Sequence, residues 1–254
     1  VGIGTTSPGY KLDVNGSIRL VADLTANGNG TGLLFKTSNS SIFWGMGIST
    51  SNSRLYFQYT GSVNVAWIEK TPTVGALDFT GQHRSLPKNG IIEDYESKVG
   101  LIVASSGDYQ KIQINEALPF VELSNSRNQK NVYGVISNIE DPNNNNREYV
   151  VGAFGTSIGK QENDNRLIIN SLGEGGIWVT NVNGNFENGD YITSCEIPGY
   201  GMKQDSEFLA NYTVAKITCD CDFDLQSQIY ICEEFEWEGQ TYKRAFVGCT
   251  YHCG

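Results

Sequence analysis

Histidine, positive charge and long apolar runs are all scarce in this chain. Only two histidines occur in 254 residues, which argues against a metal enzyme built on several histidine ligands. No apolar run reaches the roughly 18 residues that a membrane-spanning helix needs. Lys and Arg number 18 against 28 Asp and Glu, and the formal net charge of −10 argues against a nucleic-acid partner.

The sequence also lacks helical periodicity and carries the pattern of an all-β protein. Short stretches alternate between apolar and polar residues, as expected of antiparallel strands with one buried and one exposed face. Six Asn-Gly pairs favour tight hairpin turns, because Asn and Gly both tolerate positive φ. The run 173–176 (GEGG) lacks the Lys and Ser/Thr of a phosphate-binding loop and is predicted to be a turn. The run 187–190 (ENGD) is predicted to be a hairpin turn, not a calcium loop.

Charge and cysteine are distributed unevenly along the chain. Residues 1–86 carry a net charge of +2, whereas the remaining residues carry −12. Five of the six cysteines follow residue 218. Because such shifts of composition are typical of module boundaries, we expect a β module at 1–86, a second β domain at 87–218 and a Cys-rich acidic subdomain at 219–254.

The first twenty residues carry a specific motif. Residues 1–8 read VGIGTTSP and residues 10–19 read YKLDVNGSIR. This stretch resembles a motif of phage and viral tail fibres, where it precedes a terminal knob or an intramolecular chaperone. A hairpin this small cannot stabilise itself, and in fibres three chains supply the missing core. The resemblance implies short-stranded modules in an intertwined homotrimeric fibre head, with further fibre sequence upstream.

A second resemblance covers roughly residues 77–225. The order of its segments is similar to the C-terminal domain of viral and phage fibre proteins related to the peptidase G2 family of autoprocessing intramolecular chaperones. This resemblance implies folding assistance and registration of a trimer, sometimes followed by self-cleavage. The segments that carry it are 77–84, 95–103, 131–137, 170–179, 183–192 and 212–217.

The run 82–85 (QHRS) at the module junction offers the best local candidate for self-cleavage. His83 can act as the base and Ser85 as the nucleophile, while Arg84 can stabilise an oxyanion. In the alternative interpretation, His83 and Arg84 hydrogen-bond across a subunit interface and hold the stalk to the knob. No part of the sequence resembles a multiple-turnover active site, so the expected enzymatic role is at most one self-cleavage.

The C-terminal cysteines leave three alternatives open. The spacings Cys-Asp-Cys at 219–221 and Cys-Thr-Tyr-His-Cys at 249–253 can supply a tetrahedral Zn²⁺ site, although neither matches a paired CxxC pattern. Disulfides that staple an exposed subdomain are equally natural, with Cys195 completing three bridges. Reduced thiols are the third alternative. Apart from zinc, no cofactor is expected. The candidate zinc ligands are Cys219, Cys221, Cys232, Cys249, His252 and Cys253.

Several aromatic residues suggest a different function. Exposed rings can stack on sugars, as in a receptor-binding tip, but the alternating spacing of residues 55–59 fits a packed strand equally well. The aromatic residues that we consider for sugar stacking are Trp44, Tyr56, Tyr59, Trp67 and Trp237.

Together these features predict a structural protein of a virion fibre. We expect the chain to form a homotrimer that completes and registers a tail fibre or capsid fibre at the particle surface, in contact with upstream fibre or virion proteins. Host attachment through a surface glycan is compatible with this role. The alternatives are an autoproteolytic chaperone domain and a carbohydrate-binding receptor knob. The expected location is the virion surface, outside the cell.

Overall fold

A computed structural model describes the chain in segments and divides it into two compact units. The first unit comprises residues 1–78 and 146–159, and the second comprises residues 79–145 and 160–254. The described residues are 2–3, 5–7, 9, 13–14, 33–36, 43–49, 54–59, 63–69, 81–88, 94–114, 116–151, 154–162 and 164–253.

Strands dominate the described residues, among which there is no α-helix and therefore none that is long and apolar enough to cross a membrane. Two short 3₁₀ helices occur, at Tyr95–Lys98 and Asn181–Asn183. In chain order the strands are β1 (Gly2–Ile3), β2 (Asp13–Val14), β3 (Leu33–Lys36), β4 (Phe43–Ser49), β5 (Arg54–Tyr59), β6 (Val63–Glu69), β7 (Gly81–Pro87), β8 (Ile102–Gln113), β9 (Glu116–Leu123), β10 (Val132–Ile139), β11 (Asn146–Val151), β12 (Phe154–Gly159), β13 (Leu167–Thr180), β14 (Tyr191–Ser194), β15 (Gly201–Lys203), β16 (Thr213–Ile217), β17 (Ile231–Trp237) and β18 (Gln240–His252).

The first unit contains a six-stranded sheet in the order β11-β12-β6-β5-β4-β3. Its neighbouring strands are antiparallel, and the strand predicted from the alternation at 54–59 is confirmed as β5. Near the N-terminus of the chain, β1 pairs with β2 in parallel, with Gly2 opposite Asp13 and Ile3 opposite Val14. The turn predicted at Asn15-Gly16 lies outside the described residues.

The second unit forms two closed rings of strands that share β13. Residues 167–172 of β13 pair with β7 on one side and residues 167–170 with β10 on the other, and β8 and β9 complete the first ring. Residues 172–180 pair with β18, and Val179 also meets Gly201 of β15. The strands β14 and β16 complete the second ring, while β17 lies beyond β18 as its hairpin partner. The length of β13, 14 residues, follows from its place in both rings.

Each ring has its own set of buried side chains, and β13 contributes to both. Leu167 and Ile169 are fully buried in the first ring, and Ile177 and Val179 are fully buried in the second. The apolar positions alternate along each half of the strand, so each half directs one face inward. The first core contains Val103, Val121, Ile136, Ile139, Leu167 and Ile169. The second core includes Ile177, Val179, Ile192, Val214, Ile217 and Val247.

The prediction of a turn at 173–176 is wrong, because these residues lie in the middle of β13. Glycine is needed there to leave room for aromatic rings from the neighbouring strand. A Cβ atom on Gly175 would lie within 3 Å of the Tyr251 ring, and one on Gly176 would collide with Phe246. The run is therefore a strand segment over which two side chains of β18 are packed.

Both Asn-Gly pairs that the structure describes in the second unit lie in turns, but the prediction of hairpins there is wrong, because the flanking strands β13 and β14 do not pair with each other. The Asn183-Gly184 pair closes a 3₁₀ turn, with the Gly184 amide donating to the Asn181 carbonyl at 3.1 Å. At 187–190 a tight turn is closed by the Asp190 amide, which donates to the Glu187 carbonyl at 3.0 Å. The remaining Asn-Gly pairs, at 15–16, 27–30 and 89–90, lie outside the described residues.

The all-β prediction is confirmed, but the expectation of short antiparallel strands needs correction. The strands β8, β13 and β18 contain 12, 14 and 13 residues. Among the described strands three pairings are parallel, namely β1 with β2, β7 with β9 and β13 with β15. Long strands arise in the second unit because the same strand serves two rings or extends beyond one.

The boundaries between the two compact units differ from the module boundaries that were predicted from composition. The strand β7 spans the predicted boundary at residue 86, and β18, from the predicted subdomain 219–254, is part of the second ring. The division into modules therefore remains a prediction from composition, with the bounds 1–86, 87–218 and 219–254. The contacts within the fold group residues 79–145 with residues 160–254.

Candidate functional site

The candidate self-cleavage residues lie side by side on β7 but in different environments. His83 is exposed, and its ring centroid lies 5.8 Å from that of Tyr133. Ser85 is fully buried, and its hydroxyl has no hydrogen-bond partner among the described residues. The side chain of His83 is therefore not hydrogen-bonded to the Ser85 hydroxyl in this structure, so the nucleophile and base are not engaged.

Arg84 belongs to a charged network at the edge of the first ring. Its Nε atom donates to Oε1 of Glu140 at 3.1 Å, and Oε2 of Glu140 accepts from the Arg166 backbone amide at 3.2 Å. Arg166 in turn makes a bidentate interaction, in which Nε and Nη2 donate to Oδ1 and Oδ2 of Asp164 at 3.0 and 3.1 Å. Glu140 and Arg166 are buried, at 7% exposure each. This network ties β7, the end of β10 and the start of β13 together.

The cysteines are free thiols in this structure and fall into separate environments. Cys195 lies apart, buried beside Tyr200. Cys221, Cys249 and Cys253 belong to the second core, against which Cys219 and Cys232 are packed.

His252 and Cys249 lie on opposite faces of β18, because their positions are an odd number apart in a continuous strand. Among the described residues no group of three or more His, Cys, Asp or Glu side chains is placed to hold a metal ion. The zinc site and the disulfides both remain predictions.

Burial keeps the core thiols protonated. Loss of solvation raises the pKa of Cys221 to about 11, with smaller contributions from Cys219 and Cys232. It likewise raises the pKa of Cys249 to about 12, with Cys253 adding to the effect, and that of Cys253 to about 12. Thiolates are the reactive and metal-binding form of cysteine. Burial in the folded core therefore keeps these thiols protonated and unreactive at neutral pH.

We expect the free energy of unfolding to fall as pH rises above 9 in reducing buffer. Unfolded thiols ionise near 9, whereas Cys249 and Cys253 stay protonated until about 12 when folded, so the unfolded state loses protons first. Urea unfolding at pH 8.0 and 9.5 measures the decline. The double variant Cys249→Ala/Cys253→Ala should show a shallower decline, and equal slopes in both proteins would contradict the assignment.

An aromatic surface covers the outer face of the hairpin β17–β18. We define it as Phe235, Trp237, Tyr242, Arg244 and Phe246, all of which are half-buried. Phe235 lies directly opposite Tyr242, with ring centroids 6.2 Å apart. The centroids of Trp237 and Tyr242 are 6.3 Å apart. Because Ala245 and Val247 point into the second core, the alternate residues of β18 form this outer face.

Arg244 is held at the inner end of the aromatic surface by rings and by an ion pair. Its Cζ atom lies 5.2 Å from the Trp178 centroid and 5.5 Å from that of Phe235. Nη2 is 2.7 Å from Oε1 of Glu233, and Nη1 donates to the Tyr200 hydroxyl. Burial opposes the charge, but the bonds to Tyr200 and Glu233 raise the pKa of Arg244 above its ordinary value. The guanidinium is therefore fixed in one orientation.

The aromatic surface has rigid support beneath it. Tyr200 stacks on Phe235 at 5.4 Å and 19°, and Trp178 donates from Nε1 to the Val99 carbonyl at 3.1 Å. A buried cluster supports the rings from below, and Phe235, Trp237 and Tyr242 pack against it; its members are Leu101, Cys195, Ile197, Tyr200 and Met202.

Of the five aromatic residues considered for sugar stacking, Trp237 alone belongs to this surface. In the first unit, strand register places Trp44 opposite Tyr59 and Tyr56 opposite Trp67, and the side chain of Tyr56 is buried. Sequence reasoning missed the other members of the surface. The alternation Glu-Phe-Glu-Trp-Glu at 234–238 was the available signal for an aromatic strand face.

Comparisons of this chain with models of known protein families, with curated proteins and with solved structures found no match.

Proposed function

We propose that this chain is the C-terminal part of a virion fibre, which trimerises and registers the fibre at the particle surface. The structural observation that supports the proposal is a hairpin arm formed by the outer parts of β8 and β9, with residues 106–114 and 116–117 described. In the described structure β8 pairs with β10 only through residues 102–104, and β9 pairs with β7 only at Phe120 and Val121. Within the arm the two strands therefore pair with each other alone.

The hairpin arm exposes apolar side chains that a single chain leaves in water. Tyr109 is 49% exposed, Ile112 is 70% exposed and Ile114 is fully exposed at the tip. A two-stranded hairpin without a covering layer is marginally stable. Covering one isoleucine side chain contributes roughly 1.5–3 kcal/mol, so mutual cover of three arms around a threefold axis accounts for both the exposure and the length of the hairpin.

The solution mass of the 254-residue chain tests this proposal directly. We expect light scattering after size exclusion to give about three times the chain mass of 27.9 kDa. The double variant Ile112→Asp/Ile114→Asp should shift the mass toward the monomer, because charged tips cannot be buried together. Leu209→Asp, at a residue that is 60% exposed and does not belong to the arm, is the matched control and should remain trimeric. A monomeric wild-type chain would contradict the proposal.

Intact mass spectrometry on the same chromatographic peak separates the fibre proposal from self-cleavage. Uncleaved chains alone are expected if the role is structural. Shorter chains that disappear in Ser85→Ala and His83→Ala variants would instead favour the autoproteolytic chaperone.

A further inference from the structure

We propose that the aromatic surface of β17–β18 binds a neutral saccharide, which stacks on Trp237 and Tyr242 and is hydrogen-bonded by the polar residues beside them. This binding site goes beyond the proposed role in trimer assembly, and it lies on different residues from the hairpin arm.

The arrangement of rings and polar groups is the first argument for a saccharide. The centroids of Trp237 and Tyr242 are 6.3 Å apart, and both rings are partly open to solvent. Gln240 lies opposite Trp237 in the strand register, and its Oε1 accepts a hydrogen bond from the Tyr242 hydroxyl at 2.7 Å. Flat apolar rings beside polar side chains match a sugar ring, which has an apolar C–H face and hydroxyls at its rim.

The second argument is that the aromatic rings are already held in position. Trp237 and Tyr242 pack against the buried cluster that includes Ile197 and Met202. Arg244 and Tyr200 hold Phe235 from the other end, at 5.5 and 5.4 Å. Binding to side chains that are already ordered loses little conformational entropy, which suits a weak ligand such as a short saccharide.

Charge decides which class of saccharide fits. Strand alternation places Glu233 on the face of the aromatic surface, whereas Glu234 and Glu236 alternate with Phe235 and Trp237 and point to the other face of the hairpin. The basic residues are already engaged, because Arg244 is paired with Glu233 at 2.7 Å and Lys243 donates to the Phe223 carbonyl at 3.2 Å. A negatively charged sugar would therefore meet the Glu233 carboxylate without a free cation beside it, whereas a neutral hydroxyl can donate a hydrogen bond to Glu233 or to the Gln240 side chain.

Saturation-transfer NMR on the complete chain tests the proposal with a panel of neutral disaccharides: lactose, cellobiose, chitobiose and mannobiose. At least one should bind, and the sialylated form of lactose should bind more weakly than lactose. Trp237→Ala should weaken binding by about tenfold, and Trp237→Phe should retain part of it. Phe208→Ala, at an aromatic residue that is 80% exposed elsewhere, is the matched control and should bind like the wild type.

Three results would overturn the saccharide proposal. These are the absence of binding by every neutral disaccharide, binding that Trp237→Ala leaves unchanged while the variant melts like the wild type, and tighter binding of the sialylated sugar. If no sugar binds and Trp237→Ala alters the solution mass, the surface is a contact between copies of the chain. Trimer assembly is judged separately, because its test uses the variants at Ile112 and Ile114 and measures mass.

Discussion

Replacement of Gly100 by alanine is expected to lower the free energy of unfolding by about 2–4 kcal/mol. Gly100 has φ +90°, a conformation that costs a residue with a side chain about 1 kcal/mol or more. Its Cβ would also lie 2.7 Å from both the Trp178 and the Phe246 ring. The shifts of side chains and backbone that accommodate such overpacking typically lower the free energy of unfolding by roughly a further 1–3 kcal/mol. The backbone of Gly100 cannot move away easily, because its amide donates to Ile136 at 2.8 Å and its carbonyl accepts from Trp178 at 2.9 Å.

The chain provides a matched control for Gly100→Ala. Gly107 has φ +86°, but an added Cβ there would have no neighbour within 4 Å. Gly107→Ala therefore has a similar cost from positive φ without the clash, and the difference between the two variants measures the steric contribution. Urea unfolding followed by far-UV circular dichroism gives both values. Equal destabilisation of the two variants would show that the rings beside Gly100 can rearrange at no cost.

The local sequence pattern predicted strands, but it did not predict how the strands close into rings. Alternation identified β5, because one buried face is a property of a single strand. The same reasoning read 173–176 as a turn, since glycine runs are typical of turns. Nothing in the local sequence shows that Tyr251 and Phe246, seventy or more residues away, lie over those glycines.

The candidate site was predicted from the sequence only in part, and for a similar reason. Trp237 was identified by residue type, but the aromatic surface depends on the cross-strand pairs of β17 with β18 and on Trp178 of β13. The spacing of the cysteines likewise does not show which of their side chains are buried. Cys249 and His252 are close in sequence but alternate between the faces of β18, so spacing alone cannot define a ligand set.

For the residues at 83–85, the sequence suggested chemistry, and the structure shows what Arg84 contacts. An arginine beside a histidine and a serine is as compatible with an oxyanion contact as with an ion pair. The carboxylate of Glu140 lies 56 positions away in sequence, and strand pairing of β7 and β10 with β13 brings it to Arg84. Arg84 therefore has a structural explanation that is independent of self-cleavage.

Replacement of Glu140 by alanine is expected to lower the free energy of unfolding by about 2–4 kcal/mol. The Glu140 side chain is 6% exposed and that of Arg84 is 20% exposed. Loss of the carboxylate removes the acceptor of the Arg84 Nε atom and of the Arg166 amide, at 3.1 and 3.2 Å. Removal of one partner of a buried pair costs about 3–5 kcal/mol, and the partial exposure of Arg84 reduces this value.

A double-mutant cycle identifies the cause of that loss. Arg84→Leu/Glu140→Leu should be more stable than Glu140→Leu alone, because the double variant contains no arginine charge that has lost its contact with the Glu140 carboxylate. The exposed pair of Lys88 and Asp108, at 2.7 Å, is the matched control, and Asp108→Ala should change stability little because solvent screens that pair. Additive effects of Arg84→Leu and Glu140→Leu would refute the coupling. If the Arg84→Leu variant remains folded, self-cleavage can be measured in it. A loss of processing could then not be attributed to unfolding of the first ring.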